Sequence, residues 1–198
     1  MKKTELLEYG EFYHLYNRGI DRCSIFREVT NYEYFLKLQE RYISKIADTY
    51  AFVLMNNHFH FLVRIKDKTD LPGFSNLEGL QKPPYQYFSN LFNAYTKAFN
   101  KKYNRTGSLF EKNFRRKRID TQEYLKQVLL YIHNNPVHHR FCERAEDYPW
   151  SSYKTCISLS STNLMQKNVI GWFDDLGNFK YHHERKLEIE RIEKWLKI

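Results

Sequence analysis

The sequence predicts an α+β protein in which helices pack on an antiparallel sheet. Segments whose apolar side chains alternate every second residue are separated by segments whose apolar residues recur at helical spacing. Their order along the chain is strand, helix, strand, strand, helix, strand, helix. Hydrophobic residues make up 42% of the 198 residues and aromatic residues 17%, so the chain can bury a full core and is not disordered.

The first half of the chain supplies a strand, a helix and a hairpin. Thr30 or Asn31 can cap the helix, because a short polar side chain accepts a hydrogen bond from the first turn. The hairpin turns at Asn56 and Asn57, and the stretch after it is rich in proline and glycine, which predicts a long surface loop. The predicted bounds are 11–17 for the strand, 30–47 for the helix, 50–65 for the hairpin and 66–84 for the loop.

The second half begins with a helix and a basic strand and continues into another helix. Asp120 and Glu123 stand three residues apart, in the spacing of a capping box, and predict where this last helix begins. Pro136 predicts where it ends, because proline lacks the backbone N–H that the helix needs. The predicted bounds are 85–103 for the first helix, 108–119 for the strand and 122–134 for the second helix.

Beyond residue 137 the pattern is less regular. We expect an irregular segment over 146–153, a polar loop over 158–163, a helix over 164–176 and a charged helix from Tyr181. The order of elements before this point is typical of a ferredoxin-like fold. We therefore expect one main domain over residues 1–155 and a C-terminal helical extension over 156–198 that packs on it.

The charge is positive and concentrated. The formal net charge is +9, and residues 101–118 contain eight basic residues against one acidic residue. A basic run is often only a solvated face, but here Tyr103, Phe110 and Phe114 are interleaved with the cations. Cations that hold phosphates and aromatic rings that stack on unpaired bases together favour a nucleic acid as the partner.

Composition also predicts where the protein acts. No stretch reaches the roughly 18 apolar residues that a membrane span needs, and the N-terminus lacks an apolar signal core. The three cysteines are odd in number and have no C-x-x-C spacing, which argues against a disulfide framework. We expect no membrane partner and a reducing, cytoplasmic location.

Two histidines in the hairpin form a candidate metal site. His58 and His60 lie on one face of the second strand because side chains alternate, and Phe59 and Phe61 lie on the other. A histidine in a strand is most often solvated or hydrogen-bonded. This strand is otherwise apolar, so two imidazoles on one of its faces need a polar or metal partner.

The helix over 122–134 carries the second half of the candidate site. Tyr131 and Asn135 are four residues apart, so they share one face of the helix or its last turn. A phenolic oxygen and an amide ligand could thus be presented together. Tyr124 competes for the role of Tyr131, but its partner four residues on is Val128, which cannot bind a metal. The alternative is that Tyr131 only packs in the core.

Several segments resemble those of the HUH single-tyrosine transposases, a family named for two histidines that flank a hydrophobic residue. HFH at 58–60 is similar to that motif, and YIHNNPV at 131–137 is similar to the segment that carries the nucleophile. Further blocks resemble the REP-associated tyrosine transposases, and the resemblance covers residues 11–155. These blocks are YHLYNRGIDRCSIF at 13–26, RTGSLFEKNFRRKRID at 105–120 and EDYPWSSY at 146–153.

The resemblance implies a transposase that cleaves and rejoins single-stranded DNA of hairpin or repeat structure. Tyr131 would attack a phosphodiester and leave a 5′-phosphotyrosine and a free 3′-OH. His58 and His60, with Asn135 as the third ligand, would hold a divalent ion, Mg²⁺ or Mn²⁺. Arg18 is a further phosphate contact beside the basic stretch. The phosphate contacts expected in that stretch are Lys101, Lys102, Arg105, Arg115, Arg116, Lys117 and Arg118.

Two questions about the site stay open at this point. On ligand chemistry alone, two imidazoles favour zinc or another late transition metal rather than magnesium. His133, His138 or His139 could also replace Asn135 as the third ligand. Some members of the wider family are homodimers that combine the histidines of one subunit with the tyrosine of the other. The sequence therefore leaves a homodimer, and assembly of the site in cis or in trans, open.

Two other functions compete with the transposase. A non-catalytic nucleic-acid-binding module, including a relative that has lost cleavage, needs only the basic and aromatic surface. A small metallohydrolase would use the two histidines to activate water. The second is disfavoured because no acidic residue lies between Thr49 and Lys66.

Overall fold

The main sheet has four antiparallel strands in the order β2-β3-β1-β4. The structure is a computed structural model and describes residues 5–71, 82–158, 162–185 and 187–196. The bounds of the strands are Phe12–Arg18 (β1), Ala47–Met55 (β2), His58–Ile65 (β3) and Arg115–Ile119 (β4). This order, with helices between β1 and β2 and between β3 and β4, is that of a ferredoxin-like split βαβ fold. The predicted α+β class is confirmed.

Helices cover both faces of the sheet. On one face, α1 (Val29–Ile43) and α2 (Pro84–Lys102) pack against each other and bury an aromatic core that includes Phe35, Phe59 and Tyr95. On the opposite face, α3 (Gln122–His138) packs on β2 and β3. Because strand side chains alternate, the histidines of β3 face α3, and the phenylalanines of β3 face α1 and α2.

The segment that follows β1 stabilises the turn between β2 and β3 through backbone hydrogen bonds. The backbone N–H groups of Ile25 and Phe26 both donate to the carbonyl of Asn56, at 2.8 and 2.9 Å. The N–H of Gly19 donates to the carbonyl of Asn57 at 2.8 Å. A Cβ on Gly19 would collide with the backbone carbonyl of Cys23, so only glycine fits there. The predicted turn at Asn56 and Asn57 is confirmed.

Helix α3 runs through the proline that was expected to stop it. The first turn is capped one residue later than the capping box predicts, by the hydroxyl of Thr121, which accepts from the N–H of Tyr124 at 3.3 Å. Pro136 lies inside the last turn, so the predicted end at residue 134 is wrong. A proline so close to the end removes one hydrogen bond but leaves its carbonyl free to accept. The N–H of Phe141 donates to that carbonyl at 2.8 Å.

Three other predicted boundaries differ from the structure. Helix α1 begins at Val29 without a side-chain cap from Thr30 or Asn31, and it ends at Ile43 rather than at Ala47, where β2 already begins. The side chain of Asn31 instead accepts the N–H of Arg27. The predicted strand over 108–119 is a strand only from Arg115 onward. Asn113 has a left-handed backbone with φ 60°, which breaks the extended run before that point.

The C-terminal part contains four short helices. They are α4 (Tyr153–Ile157), α5 (Gln166–Gly171), α6 (Leu176–Glu184) and α7 (Ile189–Leu196). The single helix predicted over 164–176 is wrong because Asp174 has φ 72° and Asp175 caps a new helix, accepting from the N–H of Asn178 at 2.7 Å. Tyr181 lies inside α6, so the charged helix begins later than predicted. The loops predicted over 66–84 and 158–163 fall partly outside the described residues.

A buried chain of hydrogen bonds fastens α6 to α3 and β2. Nδ1 of His183 lies 2.7 Å from the carbonyl oxygen of Phe179 and donates to it, so Nε2 of His183 is an acceptor. His133 Nδ1 lies 2.9 Å from that Nε2, and His133 Nε2 lies 2.7 Å from the hydroxyl of Ser152. The same hydroxyl accepts the N–H of Phe52 in β2 at 2.8 Å. With both imidazoles neutral, every polar atom in this chain of hydrogen bonds has a partner.

No helix in the described ranges is long and apolar enough to cross a membrane.

We expect the free energy of unfolding to decrease as the pH is lowered through the range where these two histidines gain a proton in the unfolded chain. Burial lowers the pKa of His183 to about 4, and burial and the neighbouring His183 lower the pKa of His133 well below its usual value. The unfolded chain takes up protons near pH 6.5 and the folded chain does not. Each of the two histidines therefore costs up to about 1.4 kcal/mol per pH unit as the pH falls from 6.5 towards 4.

Urea unfolding between pH 7.5 and 5 measures this effect. The free energy of unfolding should be flat above pH 7 and fall steadily below 6.5, and the slope should be smaller in His183→Gln. A free energy of unfolding that stays constant down to pH 5 would contradict a neutral buried pair.

Candidate active site

The histidine pair lies on β3, one of the two central strands of the sheet. His60 pairs with Tyr16 of β1 on one side and with Val53 of β2 on the other, and His58 pairs with Arg18 and Met55. The imidazole rings of His58 and His60 have centroids 5.2 Å apart. Both rings point to the side of the sheet that α3 covers, and His60 is only 1% exposed. The pair is thus presented by a strand that is paired with a neighbouring strand on both sides.

The ring of His58 is oriented by its neighbour in the turn. Its Nδ1 lies 2.7 Å from the amide oxygen of Asn57. An amide oxygen can only accept, so Nδ1 carries the proton and Nε2 keeps a free lone pair. Burial lowers the pKa of His58 to about 4, which keeps the ring neutral.

The ring of His60 is oriented by a third histidine. Its Nδ1 lies 2.8 Å from Nε2 of His14, and the two rings stack with centroids 5.0 Å apart. Burial lowers the pKa of His14 to about 3 and, with the help of His14 and His58, lowers the pKa of His60 well below its usual value. With its proton on Nδ1, His60 also keeps Nε2 free. A hydrogen bond on the far nitrogen is the usual support of a metal-binding histidine.

Helix α3 places Asn135 against the histidine pair. Its amide oxygen lies 3.2 Å from Nε2 of His58, and the residue is fully buried. Both atoms are acceptors when the proton of His58 is on Nδ1. The amide nitrogen of Asn135 has no hydrogen-bond partner within the described part of the chain. Buried polar atoms are nearly always satisfied, and a cation between the two acceptors would satisfy both.

The donor set fits a divalent metal ion. Nε2 of His58, Nε2 of His60 and the amide oxygen of Asn135 are the atoms that would hold it. Two neutral nitrogens and one oxygen leave coordination positions for further oxygen ligands, such as those of a phosphate. Within the described ranges no three residues of the types His, Cys, Asp and Glu gather as a metal group.

The other candidate third ligands lie in different surroundings. His133 belongs to the buried chain that joins α3 to α6. His139 is the alternative that lines the same cavity as His58, and its ring centroid lies 5.4 Å from that of His58. His138 lies against His139 but does not line this cavity.

Tyr131 lies beside the histidines and is held by a residue from the C-terminal helix. Its ring is 5.4 Å from that of His60, edge to face. Its hydroxyl donates to the carboxylate of Glu193 in α7, at 3.4 Å. Burial and then the negative charge of Glu193 raise the pKa of Tyr131, so the phenol stays protonated in the metal-free protein. Tyr131 is thus buried, as expected if it only packs in the core, but it also lines the cavity.

Glu193 is the site residue that the sequence did not reveal. A charged C-terminal helix was expected, but no sequence signal indicated that α7 docks on α3. The docking rests on Ile192 and Leu196, which are buried, and on Trp195, which stacks on Tyr124 with ring centroids 4.0 Å apart. Tyr124, the competing tyrosine, is thereby covered by an indole and lies outside the cavity.

A cavity of about 500 Å³ connects these residues to solvent. Polar and aromatic side chains from β1, β3, α3 and α7 line it, and two of them are arginines. Its lining residues are Tyr16, Arg18, Arg22, Asn56, Asn57, His58, His60, Tyr131, His139, Phe141 and Glu193. A larger cavity of about 910 Å³ lies between the end of α3, α6 and α7, but neither the histidine pair nor Tyr131 borders it.

The comparison with known proteins is informative at the level of structure. No family model matches the sequence, and no curated protein matches it. Among solved structures, the chain is similar to a REP-associated tyrosine transposase bound to a REP hairpin, with a TM-score of 0.57. The match covers 79% of this chain and 85% of the other at 17% sequence identity. The two chains share a fold. At this identity the similarity concerns the fold, and the site rests on its own geometry.

The structure divides the basic stretch between several surfaces. Because β4 alternates, Arg115 and Lys117 share the sheet face of the histidines, and Arg116 and Arg118 lie on the opposite face. Arg115 lies over the ring of Tyr16, and Lys117 lies over the indole of Trp195. These two cations lie on an edge strand next to the cavity, where they can reach a bound polyanion.

Four of the other cations of the stretch are engaged with protein groups. Arg118 forms ion pairs with Glu8 and Glu11, and Lys102 forms one with Glu28. The other two contacts are local: Arg105 bonds Asn100 and the carbonyl of Ser108, and Arg116 lies over the ring of Phe114. Lys101 is exposed at the end of α2. Arg18, named as a further candidate, lines the cavity itself.

Proposed function

We propose that the protein is a metal-dependent single-stranded DNA endonuclease and strand transferase of the tyrosine transposase type. The observation that carries the proposal is the convergence of three side chains on one cavity. These side chains are Tyr131, His58 and His60, and the buried amide of Asn135 contacts His58.

The reaction is the transfer of a phosphodiester to Tyr131. The phenolic oxygen forms a bond to phosphorus, and the bond from phosphorus to the 3′ oxygen breaks. The products are a 5′-phosphotyrosine and a 3′-OH. When a divalent ion, Mg²⁺ or Mn²⁺, is bound, it polarises the phosphate as a Lewis acid. The covalent bond conserves the energy of the phosphodiester, so a 3′-OH can later attack the phosphotyrosine and rejoin a strand without ATP.

Glu193 takes the proton of the phenol in this scheme. It is the carboxylate that lines the cavity, and it already accepts from the hydroxyl of Tyr131. A phenol with a raised pKa is a poor nucleophile until its proton is removed as the new bond forms. The departing 3′ oxygen takes its proton from solvent, which enters through the open cavity.

Single-stranded DNA that carries a hairpin is the substrate class we propose. The shared fold with a transposase bound to a REP hairpin supports it, as do Arg18, Arg22 and Arg115 around the cavity. We propose that the histidines and the tyrosine of one chain act together, in cis. The packing of α3 on its own sheet supports this arrangement.

We expect Tyr131→Phe to abolish covalent attachment to DNA and to leave DNA binding within about twofold. The substitution removes the attacking oxygen but keeps the ring that packs on His60. The measurement uses labelled hairpin-bearing single-stranded DNA with Mn²⁺ or Mg²⁺, and it follows a protein band on a denaturing gel. Tyr124→Phe is the matched control on the same helix, and it should form the adduct at the wild-type level.

Two outcomes would count against the assignment. Undiminished adduct in Tyr131→Phe would exclude Tyr131 as the nucleophile. No adduct from the wild-type protein with either metal and a broad set of hairpins would favour the alternative, a non-catalytic nucleic-acid-binding module.

We expect Glu193→Gln to slow adduct formation about 100-fold and to leave DNA affinity unchanged. Glutamine preserves the hydrogen bond but cannot accept the proton, and general bases contribute about 10²–10⁴ in rate. Single-turnover kinetics with the labelled hairpin measure the rate. Glu190→Gln, a carboxylate on the exposed side of α7, is the control, and an equal rate in both variants would remove Glu193 from the mechanism.

A further inference from the structure

One aromatic ring at the mouth of the cavity is not used by the chemistry described above. Phe141 is 52% exposed, a large fraction for a phenylalanine, and it lines the same cavity as His58 and Tyr131. Its one close aromatic neighbour in the described structure is Tyr148, and their planes stand 76° apart with centroids 6.2 Å from each other. The two rings meet edge to face, so Phe141 is not covered by stacking.

The backbone that ends α3 fixes the position of this ring. The N–H of Phe141 donates to the carbonyl of Pro136 at 2.8 Å, and the N–H of Arg140 donates to the carbonyl of Val137 at 3.0 Å. Arg140 has a left-handed backbone with φ 60°. Together these features form a Schellman motif. The motif ties Phe141 rigidly to the helix that carries Tyr131 and Asn135.

The end of α3 is built at a cost in backbone energy. The residue in the left-handed position of a Schellman motif is usually glycine, and a residue with a Cβ is disfavoured there by about 1 kcal/mol. In this chain Arg140, which has a Cβ, occupies that position. Strained positions of this kind are concentrated at binding and catalytic sites.

Two arginines line the same opening, together with the carboxylate of Glu193. Arg18 and Arg22 both line the cavity from the segment that follows β1. Arg22 and its neighbour Asp21 also have left-handed backbones, with φ 58° and 50°. A fixed aromatic ring next to arginines is the arrangement by which proteins hold an unpaired nucleotide, because the ring stacks on the base and the cations hold the phosphates.

We propose that Phe141 is a stacking platform for the base of a nucleotide next to the phosphate that Tyr131 attacks. Arg18 and Arg22 hold the backbone phosphates on either side of it. The inference rests on the proposed function, since it names the part of the substrate that lies at the cavity mouth. Stacking does not distinguish one base from another, so the platform positions the strand and leaves sequence choice to other contacts.

Fluorescence of 2-aminopurine tests the platform without any cleavage. The probes are dT 12-mers with one 2-aminopurine at successive positions, bound to the full chain in EDTA so that no metal is present. Stacking quenches the fluorophore, so we expect strong quenching at one position. Phe141→Ala should abolish the quench and weaken binding about 5- to 100-fold, and Phe141→Trp should restore both. Tyr181→Ala, which removes an aromatic of similar exposure (56%) on α6, should change neither.

The outcomes separate this inference from the proposed function. Quenching and affinity in Phe141→Ala that equal the wild type, or no quench at any position, would overturn the platform. A quench that depends on Phe141, in a protein that forms no covalent adduct with hairpin DNA, would support the platform and contradict the chemistry. An adduct with wild-type yield and cleavage position in Phe141→Ala would overturn the platform and leave the chemistry standing.

Discussion

The pairing register of β3 is the constraint on which the rest of the site depends. Its side chains alternate, so the pairing of His60 with Tyr16 and Val53 decides that the histidines face α3 and the phenylalanines face α1 and α2. A shift of one residue would exchange the two sets and place phenylalanines on the face that packs on α3. Such a shift is opposed by the turn at Asn56 and Asn57, because backbone hydrogen bonds from the segment after β1 fix its position.

Helix α3 carries the other two candidate residues of the site. Tyr131 and Asn135 are one turn apart, and the Schellman motif carries the chain on to Phe141 at the cavity mouth. Tyr131, Asn135 and Phe141 are therefore all positioned by one helix and its C-terminal turn. The site includes features that do not favour stability, namely an orphaned amide nitrogen on Asn135 and a left-handed Arg140. Local costs of this kind are expected where function rather than folding selects the residue.

The sequence predicts the local part of this site and misses the part that depends on tertiary packing. Alternation alone gives the common face of His58 and His60, and helical spacing alone gives that of Tyr131 and Asn135. Neither periodicity reveals His14 behind His60 or Glu193 on Tyr131, because both contacts join segments distant in sequence. The predicted helix end at residue 134 is wrong because the rule that proline ends a helix applies to helix interiors. Pro136 lies in the last turn of α3. The basic stretch was visible as a run, but its division between two sheet faces follows from strand alternation.

Electron paramagnetic resonance of bound Mn²⁺ tests the central claim most directly, because it detects the ligands and needs no DNA target. With the full chain and Mn²⁺, the spectrum should contain hyperfine coupling to the nitrogens of two imidazoles. One coupling should be lost in His58→Ala and the other in His60→Ala, and both should persist in His138→Ala, which removes a histidine outside the cavity. A Mn²⁺ spectrum with water ligands alone, or imidazole couplings that survive both His58→Ala and His60→Ala, would contradict the assignment of the metal site.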